Sequence, residues 1–191
     1  MLYSGAMADL SAEPSVEELR EKFRSADLND LCDATEAAIE EGGGFGWVDV
    51  PQRDVLERYW KGVLVVPERF LFVARLDGVV CGSAQLIRPP RNNEAQGHSA
   101  QLTTSFIAPW ARGHGLARML TLALLRCAKS EGIKTVNLDV RETQTAAINL
   151  YRSLSFIEFG RHPHYAEVKG QIISGLYFTR DLEDLPTETA S

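Results

Sequence analysis

The stretch Phe106-Ile-Ala-Pro-Trp-Ala-Arg-Gly-His-Gly-Leu-Ala-Arg118 decides how the rest of the chain is interpreted. It begins as the end of an apolar strand, passes a proline, and opens a long apolar helix through Gly113 and Gly115. The first N–H groups of a helix have no intrahelical partner, and the helix dipole adds partial positive charge there. Glycine lets the backbone approach an anion closely because it has no Cβ. Residues 112–118, the glycine loop, therefore predict a binding site for a phosphate group.

The composition is that of an ordinary globular protein with an acidic balance. The 191 residues are 45% hydrophobic and 24% charged, enough for one domain with a substantial core. A formal net charge of -6 argues against a nucleic-acid partner, because phosphate contacts need clustered Lys and Arg. Cys32, Cys81 and Cys127 are widely spaced, which favours neither a disulfide framework nor a zinc site. The sequence has no membrane-length apolar run and no signal pattern, so we expect no membrane partner and a cytoplasmic location.

Hydrophobic periodicity and turn residues predict a mixed α/β order. Asp77-Gly78, between two apolar runs, indicates a two-residue hairpin. We expect residues 1–14 and 184–191 to be tails around a single domain that spans residues 15–183. The expected strands cover residues 19–24, 70–76, 79–87, 100–107, 135–140, 156–160 and 172–179, and the expected helices begin near Asp27, Pro51, Leu116 and Ala146.

The residues of the glycine loop, taken alone, allow three interpretations to be compared. A Walker loop ends in Gly-Lys-Ser/Thr, which Gly115-Leu116-Ala117 lacks. A Rossmann dinucleotide loop needs a third glycine where Arg118 stands, although Asp139 could mimic its ribose-binding acid. A plain structural turn also explains a lone pair of glycines.

A family resemblance explains the glycine loop together with two further motifs, one before it and one after it. Residues 112–117, Arg-Gly-His-Gly-Leu-Ala, match the Gln/Arg-x-x-Gly-x-Gly/Ala loop of the GNAT superfamily of N-acyltransferases. Residues 107–109, Ile-Ala-Pro, look like the Val-x-Pro that ends the fourth strand in that family. Residues 147–156, Ala-Ile-Asn-Leu-Tyr-Arg-Ser-Leu-Ser-Phe, resemble its Ala-x-x-Leu-Tyr-x-x-x-Gly-Phe element. The resemblance covers about residues 100–156, and outside them only the order of elements agrees.

The resemblance implies a GNAT-type α/β (α+β) fold, with a mixed, mainly antiparallel sheet of about seven strands flanked by about four helices. It implies acetyl-CoA as the acyl donor, bound in a V-shaped opening between the fourth and fifth strands. Tyr151 matches the family's general acid, placed near the thioester sulfur. The coenzyme-binding residues carried over by position are Ser105, Phe106 and Ile107 for the pantetheine arm, Arg112, Gly113, His114, Gly115, Leu116, Ala117 and Arg118 around the pyrophosphate, and Gln144 and Tyr151.

The chain departs from the family pattern at two positions. Gln144 stands where the family often has Asn, seven residues before the tyrosine. Ser155 replaces a glycine, which costs about 1 kcal/mol if that position has a left-handed backbone.

No residue of the sequence stands out as the general base. A lysine-like amine has a pKa of about 10.4, so only about one molecule in a thousand is neutral near pH 7.4 and a proton must be removed. Many members of the resembled family keep a carboxylate on the fourth strand, where this chain has Gln101, Thr103 and Thr104. The nearest candidates besides water are Glu94 and His98, just before that strand.

The region before the last strand often borders the acceptor pocket in the resembled family. Tyr165 and Glu167 are therefore candidates to contact a cationic acceptor, in what we expect to be a loop over residues 162–165. His162 and His164 have a spacing that can bind metal, but the sequence places no acidic or Cys partner nearby, so we expect no metal site.

The residues and the resemblance together predict an N-acetyltransferase. It would move an acetyl group from acetyl-CoA to a primary amine of a small molecule or peptide by direct attack in a ternary complex, since no motif marks a nucleophilic Cys or Ser. The alternatives are a non-catalytic coenzyme A-binding sensor and a Rossmann-type dinucleotide-binding protein, and the acidic composition disfavours a relative that acetylates charged tRNA. The acceptor stays open among polyamines, amino acids, aminoglycoside-like drugs and protein N-termini, and an exposed edge strand permits a homodimer.

Overall fold

A computed structural model of the chain describes residues 12–43 and 46–185. These residues form a seven-stranded sheet in the order β1-β2-β3-β4-β5-β7-β6 with four α-helices packed on it. This confirms the predicted mixed α/β architecture of about seven strands and four helices. The strands are β1 (Pro14–Leu19), β2 (Arg69–Leu76), β3 (Val79–Ile87), β4 (Ser99–Ile107), β5 (Thr135–Arg141), β6 (Ile157–Val168) and β7 (Gln171–Asp181), and the helices are α1 (Asp27–Glu40), α2 (Arg53–Leu64), α3 (Leu116–Ser130) and α4 (Thr145–Ser153).

The pairing of the strands separates this fold from a dinucleotide-binding one. Among the described strands, β4 and β5 are the one parallel pair, and all the other neighbours are antiparallel. A Rossmann-type fold is built on a mostly parallel, doubly wound sheet. The Rossmann interpretation of the glycine loop is therefore wrong.

Two apolar layers cover the two faces of the sheet. On one face α3 and α4 bury residues such as Leu120, Leu124 and Ile148 against the strands. On the other face α1 and α2 bury Leu31 and Trp60. Each helix carries its apolar residues on one side, which is the pattern expected of helices packed on a sheet. No described helix is both long and apolar enough to cross a membrane.

Two tight hairpins fix the order of the antiparallel strands. Asp77 and Gly78 have φ values of 51° and 83°, and they join β2 to β3 as the sequence predicts. Lys169 and Gly170, with φ values of 50° and 76°, join β6 to β7 in the same way. Two successive residues with positive φ match the twist of the flanking strands and so set their register.

Two predicted elements differ from those in the structure. The first strand is β1, Pro14–Leu19, rather than residues 19–24, because Val16 and Leu19 pack inward while the chain pairs with β2. Residues 162–165 are part of β6 instead of a loop. β6 is an edge strand with register shifts near these residues, and an edge tolerates a proline such as Pro163 that cannot donate a hydrogen bond.

A buried ion pair ties the start of α1 to β2. Arg75 donates from Nη1 and Nη2 to the two carboxylate oxygens of Asp27, both at 2.9 Å, and Arg75 also pairs with Glu17 of β1. The side chains of Asp27 and Arg75 are both buried. Asp27 is the first residue of α1 rather than its N-cap, which is Ala26. The carboxylate therefore serves a tertiary contact that its local sequence does not reveal.

Replacing Asp27 by Asn should destabilise the fold by about 3 kcal/mol at pH 7, because it leaves the buried Arg75 guanidinium only partly compensated. Burial opposes ionisation of Asp27, but the hydrogen bonds from Arg75 and from the Arg24 N–H outweigh it and lower its pKa. The stabilisation is thus fully present above the unfolded-state pKa of about 3.9 and is lost as the pH falls through the lower folded value. Urea unfolding at pH 7 and at stepwise lower pH measures both effects.

The matched control is Asp30→Asn in the same turn of α1. This variant loses only the favourable interaction of the carboxylate with the helix dipole, so its free energy of unfolding should fall by less than about 1 kcal/mol. Equal losses for the two variants at pH 7 would refute the role of the Asp27–Arg75 pair.

Candidate active site

The glycine loop is a left-handed entry into α3. Gly113 and Gly115 have φ values of 87° and 74°, and Gly115 is the N-cap of the helix. A Cβ at either position would meet no atom within 4 Å, so backbone conformation, not crowding, favours glycine there. The Met119 N–H donates to the Gly115 carbonyl at 3.1 Å, and the N–H groups before it in the first turn have no partner within the helix. These groups and the helix dipole make the loop suitable for an anion.

β4 and β5 separate next to this loop. Their parallel ladder runs only from Ser99–Thr135 to Gln101–Asn137, whereas β5 stays paired with β7 up to Arg141. The part of β4 beyond Gln101 therefore faces an opening on its β5 side. An extended chain entering this opening could add to β4 as a further strand.

A bulge in β4 shapes the wall of the opening. Thr104 has a φ of 49°, and the pairing with β3 shifts there from Gln85–Thr103 to Ser83–Phe106. A bulge interrupts the alternation of side chains along a strand. Successive residues 103–105 consequently line one cavity.

Two cavities meet in the opening. The larger has a volume of about 620 Å³ and lies between the glycine loop, the end of β4, α4 and the end of α1. The smaller, of about 470 Å³, lies on the other side of the β4–β5 separation. Four residues line both cavities, namely Ser105, Gln144, Ala147 and Tyr151.

The structure brings most of the predicted coenzyme-binding residues together. Ser105, Phe106, Ile107, Arg112, Gly113, Gly115, Leu116, Ala117, Arg118, Gln144 and Tyr151 all line the larger cavity. The imidazole of His114 does not line it. Its Nδ1 lies 3.3 Å from the Ala111 carbonyl oxygen in the part of the loop that faces solvent.

The polar side chains around the larger cavity also contact one another. Arg112 forms an ion pair with Glu41 at the end of α1, and its Nε donates to the Ile107 carbonyl at 3.3 Å. Arg118 reaches Ser153 of α4 at 3.3 Å. Both guanidinium groups therefore lie beside the glycine loop, where they add positive charge.

Gln144 connects α4 to the segment after α1. Its Nε2 donates to the Gly42 carbonyl at 3.2 Å, and the residue itself is the N-cap of α4. Gln144 thus borders both cavities and at the same time tethers their shared wall.

Tyr151 is held by the way α4 ends. The Ser155 N–H donates to the Arg152 carbonyl and the Phe156 N–H to the Tyr151 carbonyl, both at 3.0 Å. Ser155 has a φ of 63°, so the position is left-handed. These bonds form a Schellman motif, in which an apolar contact joins the third-last helical residue to the second residue beyond the cap. Here that contact is between the rings of Tyr151 and Phe156, whose centroids are 5.6 Å apart.

The phenol of Tyr151 is kept protonated. The side chain is buried, with 5% exposed. Burial raises the pKa of Tyr151, the negative charge of Asp139 adds to this, and a hydrogen bond with the Ser105 side chain acts in the opposite direction. Because the net shift is upward, Tyr151 is available as a hydrogen-bond donor at neutral pH.

Asp139 supplies a carboxylate to the smaller cavity. Its Oδ1 accepts a hydrogen bond from Gln101 Nε2 at 3.0 Å, and its Oδ2 accepts one from the Tyr165 hydroxyl. Burial and this bond raise the pKa of Tyr165, so the phenol stays a donor to the carboxylate. Of the two residues that the sequence suggests as acceptor contacts, Tyr165 lines the smaller cavity, whereas Glu167 borders neither cavity.

The sequence analysis did not place Asp139 in this cavity. The signal was present in the alternation of Val136, Leu138 and Val140 with polar residues, which puts Asp139 on the polar face of β5. The parallel register of β5 with β4, which brings Asp139 level with the opening, could not be deduced from that alternation.

The predicted candidates for a general base lie away from both cavities. Glu94 and His98 are exposed and line neither cavity. The His98 carbonyl accepts the Lys134 N–H at 2.8 Å, at the closed end of the β4–β5 ladder. Thr104 is six residues further along the strand than His98, which corresponds to roughly 20 Å.

Aromatic rings form a further wall of the smaller cavity. Trp47 and Tyr59 meet edge to face with centroids 4.9 Å apart. Buried Gln85 donates to the Tyr59 hydroxyl at 3.1 Å and fixes the ring. Phe45, which the sequence places in the same segment as Trp47, lies outside the described residues.

The two histidines of β6 form a hydrogen bond with each other. The His164 N–H donates to His162 Nδ1 at 3.1 Å. Within residues 12–43 and 46–185, no three His, Cys, Asp or Glu side chains are grouped so that they could hold a metal ion.

Comparison with known proteins places this geometry in a family. Residues 28–156 match the family described as Acetyltransferase (GNAT) family. The chain is 66% identical over 122 residues to an uncharacterized N-acetyltransferase in the hisH-hisA intergenic region of Azospirillum brasilense, a match that covers 64% of this chain and 73% of that protein. It is 32% identical over 102 residues to a mycothiol acetyltransferase of Frankia casuarinae, covering 51% of this chain but only 30% of that relative.

Solved structures share the fold at low sequence identity. An N-acetyltransferase from Staphylococcus aureus Mu50 superposes with a TM-score of 0.76 at 19% identity, covering 90% of this chain and 99% of that one. The structure of yncA from Salmonella typhimurium with its cofactor acetyl-CoA superposes with a TM-score of 0.72 at 16% identity, covering 93% of this chain and 99% of that one. These likenesses concern the fold.

The left-handed serine after α4 yields a stability prediction. Ser155→Gly should stabilise the protein by up to about 1 kcal/mol, because glycine adopts positive φ without the steric cost of a Cβ. The control is Ser153→Gly in the same helix end, which should destabilise by about 0.5–1 kcal/mol because its backbone is helical. Urea unfolding midpoints measure both changes. A loss of stability in Ser155→Gly would contradict the assignment.

Proposed function

The chain belongs to the GNAT family of acetyltransferases, and we propose that it transfers the acetyl group of acetyl-CoA to a primary amine by direct attack in a ternary complex. The observation that carries the proposal is the meeting of the two cavities at Tyr151. A thioester in the larger cavity and an amine in the smaller one would react at that junction.

The larger cavity has the features that a coenzyme A thioester requires. The N–H groups of residues 113–118 would bind the pyrophosphate, with Arg112 and Arg118 supplying positive charge nearby. The backbone of Ser105, Phe106 and Ile107 would pair with the pantetheine arm in the opening left by β5. Arg112 would exchange its Glu41 partner for phosphate oxygens.

Tyr151 would assist departure of the thiolate. A phenol with a pKa of about 10 is a weaker acid than a thiol near 8.5, so full proton transfer to sulfur is uphill by about 2 kcal/mol. Burial makes Tyr151 a weaker acid still. Tyr151 would therefore act mainly by donating a hydrogen bond to the sulfur as negative charge develops, with the proton following.

Asp139 would serve the acceptor side. Its carboxylate would pair with the incoming ammonium and accept the proton that the amine must lose. The neutral nitrogen would then attack the carbonyl carbon, and the carbon–sulfur bond would break. The sulfur would take the Tyr151 proton to give free coenzyme A, and the second proton that the nitrogen loses would restore the phenol. The first proton would pass from Asp139 to solvent.

Direct attack is supported by the state of the cysteines. Burial raises the pKa of Cys32, Cys81 and Cys127 to about 11 in each case, which disfavours the nucleophilic thiolate. All three are absent from the linings of the two cavities. An acyl-cysteine intermediate is therefore not part of the proposal.

Thermal unfolding with added ligands tests the donor assignment. Acetyl-CoA and free coenzyme A should each raise the unfolding temperature, because a ligand at about 100 times its dissociation constant stabilises the folded state by roughly 2.7 kcal/mol. NAD is the control and should cause no shift. The donor assignment would be abandoned if neither coenzyme A compound shifted the transition.

Replacement of Tyr151 by Phe tests the chemistry. Turnover should fall by about 100-fold or more, since positioned proton donors contribute at least that factor, while the thermal shift with acetyl-CoA is retained. Tyr177→Phe is the control, because Tyr177 is a β7 residue that borders neither cavity. Steady-state release of free thiol with a reactive amine measures the rates, and unchanged turnover in Tyr151→Phe would refute the assigned role.

A further inference from the structure

We infer that the acceptor is a small cationic primary amine with no carboxylate on the carbon that bears its nitrogen, preferably one with an apolar aromatic flank. This inference rests on the proposed function, because it concerns the smaller of the two cavities. It selects one chemical class among the acceptors that the sequence leaves open, and it excludes free α-amino acids.

The first argument is the charge of the cavity. Asp139 is the one acidic side chain among its described lining residues, and no Lys, Arg or His is among them. Arg141, further along β5, is buried and lines a separate cavity of about 280 Å³. An α-carboxylate bound with its amine near Tyr151 would thus lie close to Asp139 with no cation in the lining to compensate it, and like charges brought together oppose binding.

The aromatic wall favours the same class. Trp47, Tyr59 and Tyr165 line the cavity. The face of an aromatic ring carries partial negative charge, which attracts an ammonium group and repels a carboxylate. The Tyr59 hydroxyl bonds to Gln85 and lies 3.4 Å from Thr104 Oγ1, and its ring packs edge to face against Trp47 and Trp60, so these contacts fix the aromatic wall in place.

The size and remaining polarity of the cavity fit a small molecule. Its volume of about 470 Å³ lies within the range of small-molecule sites. The other polar side chains in its lining are neutral, namely Thr103, Thr104, Ser105 and Gln144 together with the phenols of Tyr151 and Tyr165. Asp139 therefore sets the charge selectivity of the site.

The experiment compares pairs of acceptors that differ only in the carboxylate. Phenethylamine and phenylalanine form the aryl pair, and isopentylamine and leucine form the aliphatic pair, so that each molecule has a single amine. We expect kcat/KM to be at least tenfold higher for the member without the carboxylate in at least one pair. A larger value for phenethylamine than for isopentylamine would support the aromatic flank. The inference is overturned if the amino acid is acetylated as well as its decarboxylated counterpart in both pairs.

A charge variant assigns the discrimination to Asp139. In Asp139→Asn the ratio of kcat/KM within the preferred pair should fall at least fivefold, whatever happens to the absolute rates. Asp49→Asn is the control, because Asp49 is an exposed carboxylate of the separate cavity and should leave the ratio unchanged. An unchanged ratio in Asp139→Asn would overturn the role of this carboxylate.

The outcomes also separate this inference from the proposed function. If amines are acetylated without discrimination against a carboxylate, the inference fails and the proposed transfer stands. If acetyl-CoA shifts the thermal transition but none of these four amines nor a peptide amine is acetylated, both fail.

Discussion

The short parallel ladder between β4 and β5 is the constraint on which the rest of the site depends. Because the two strands stop pairing after Gln101–Asn137, the backbone of β4 faces an opening in the middle of the sheet instead of a neighbouring strand. β5 does not collapse into this gap because β7 pairs with it along its whole length. The sheet thereby keeps a slot open without a mobile element, and the glycine loop at the end of β4 lies at its mouth.

Local irregularities shape the walls of that slot. The bulge at Thr104 turns successive β4 residues into the smaller cavity, and the left-handed Ser155 closes α4 so that Tyr151 packs on Phe156. Both features carry positive φ in a residue other than glycine. Such conformations cost free energy and persist where the surrounding structure holds them in place.

The fold and the residues that line the larger cavity could be predicted because their signals are local. The Asp77-Gly78 hairpin and the glycine loop are each defined by a few adjacent residues whose backbone needs are readable in the sequence. The smaller cavity depends on contacts between distant residues, such as Gln101 with Asp139 and Tyr165 with Asp139. Glu94 and His98, the bases that the sequence suggests, are near β4 in sequence but border neither cavity, because they lie at the far end of that strand.

The two cavities share four lining residues, so the residues of the site fall into a group that borders both cavities and groups that border one of them. In the proposed complex, a substitution at Ser105, Gln144, Ala147 or Tyr151 would alter the surroundings of donor and acceptor together, so the affinities for both would be thermodynamically linked through them. Of these two cavities, Trp47, Tyr59 and Asp139 border the smaller and not the larger. On the proposed assignment, new acceptor preferences would arise by drift in this second group while use of the donor is inherited intact, which is a modular route to diversification within a single fold.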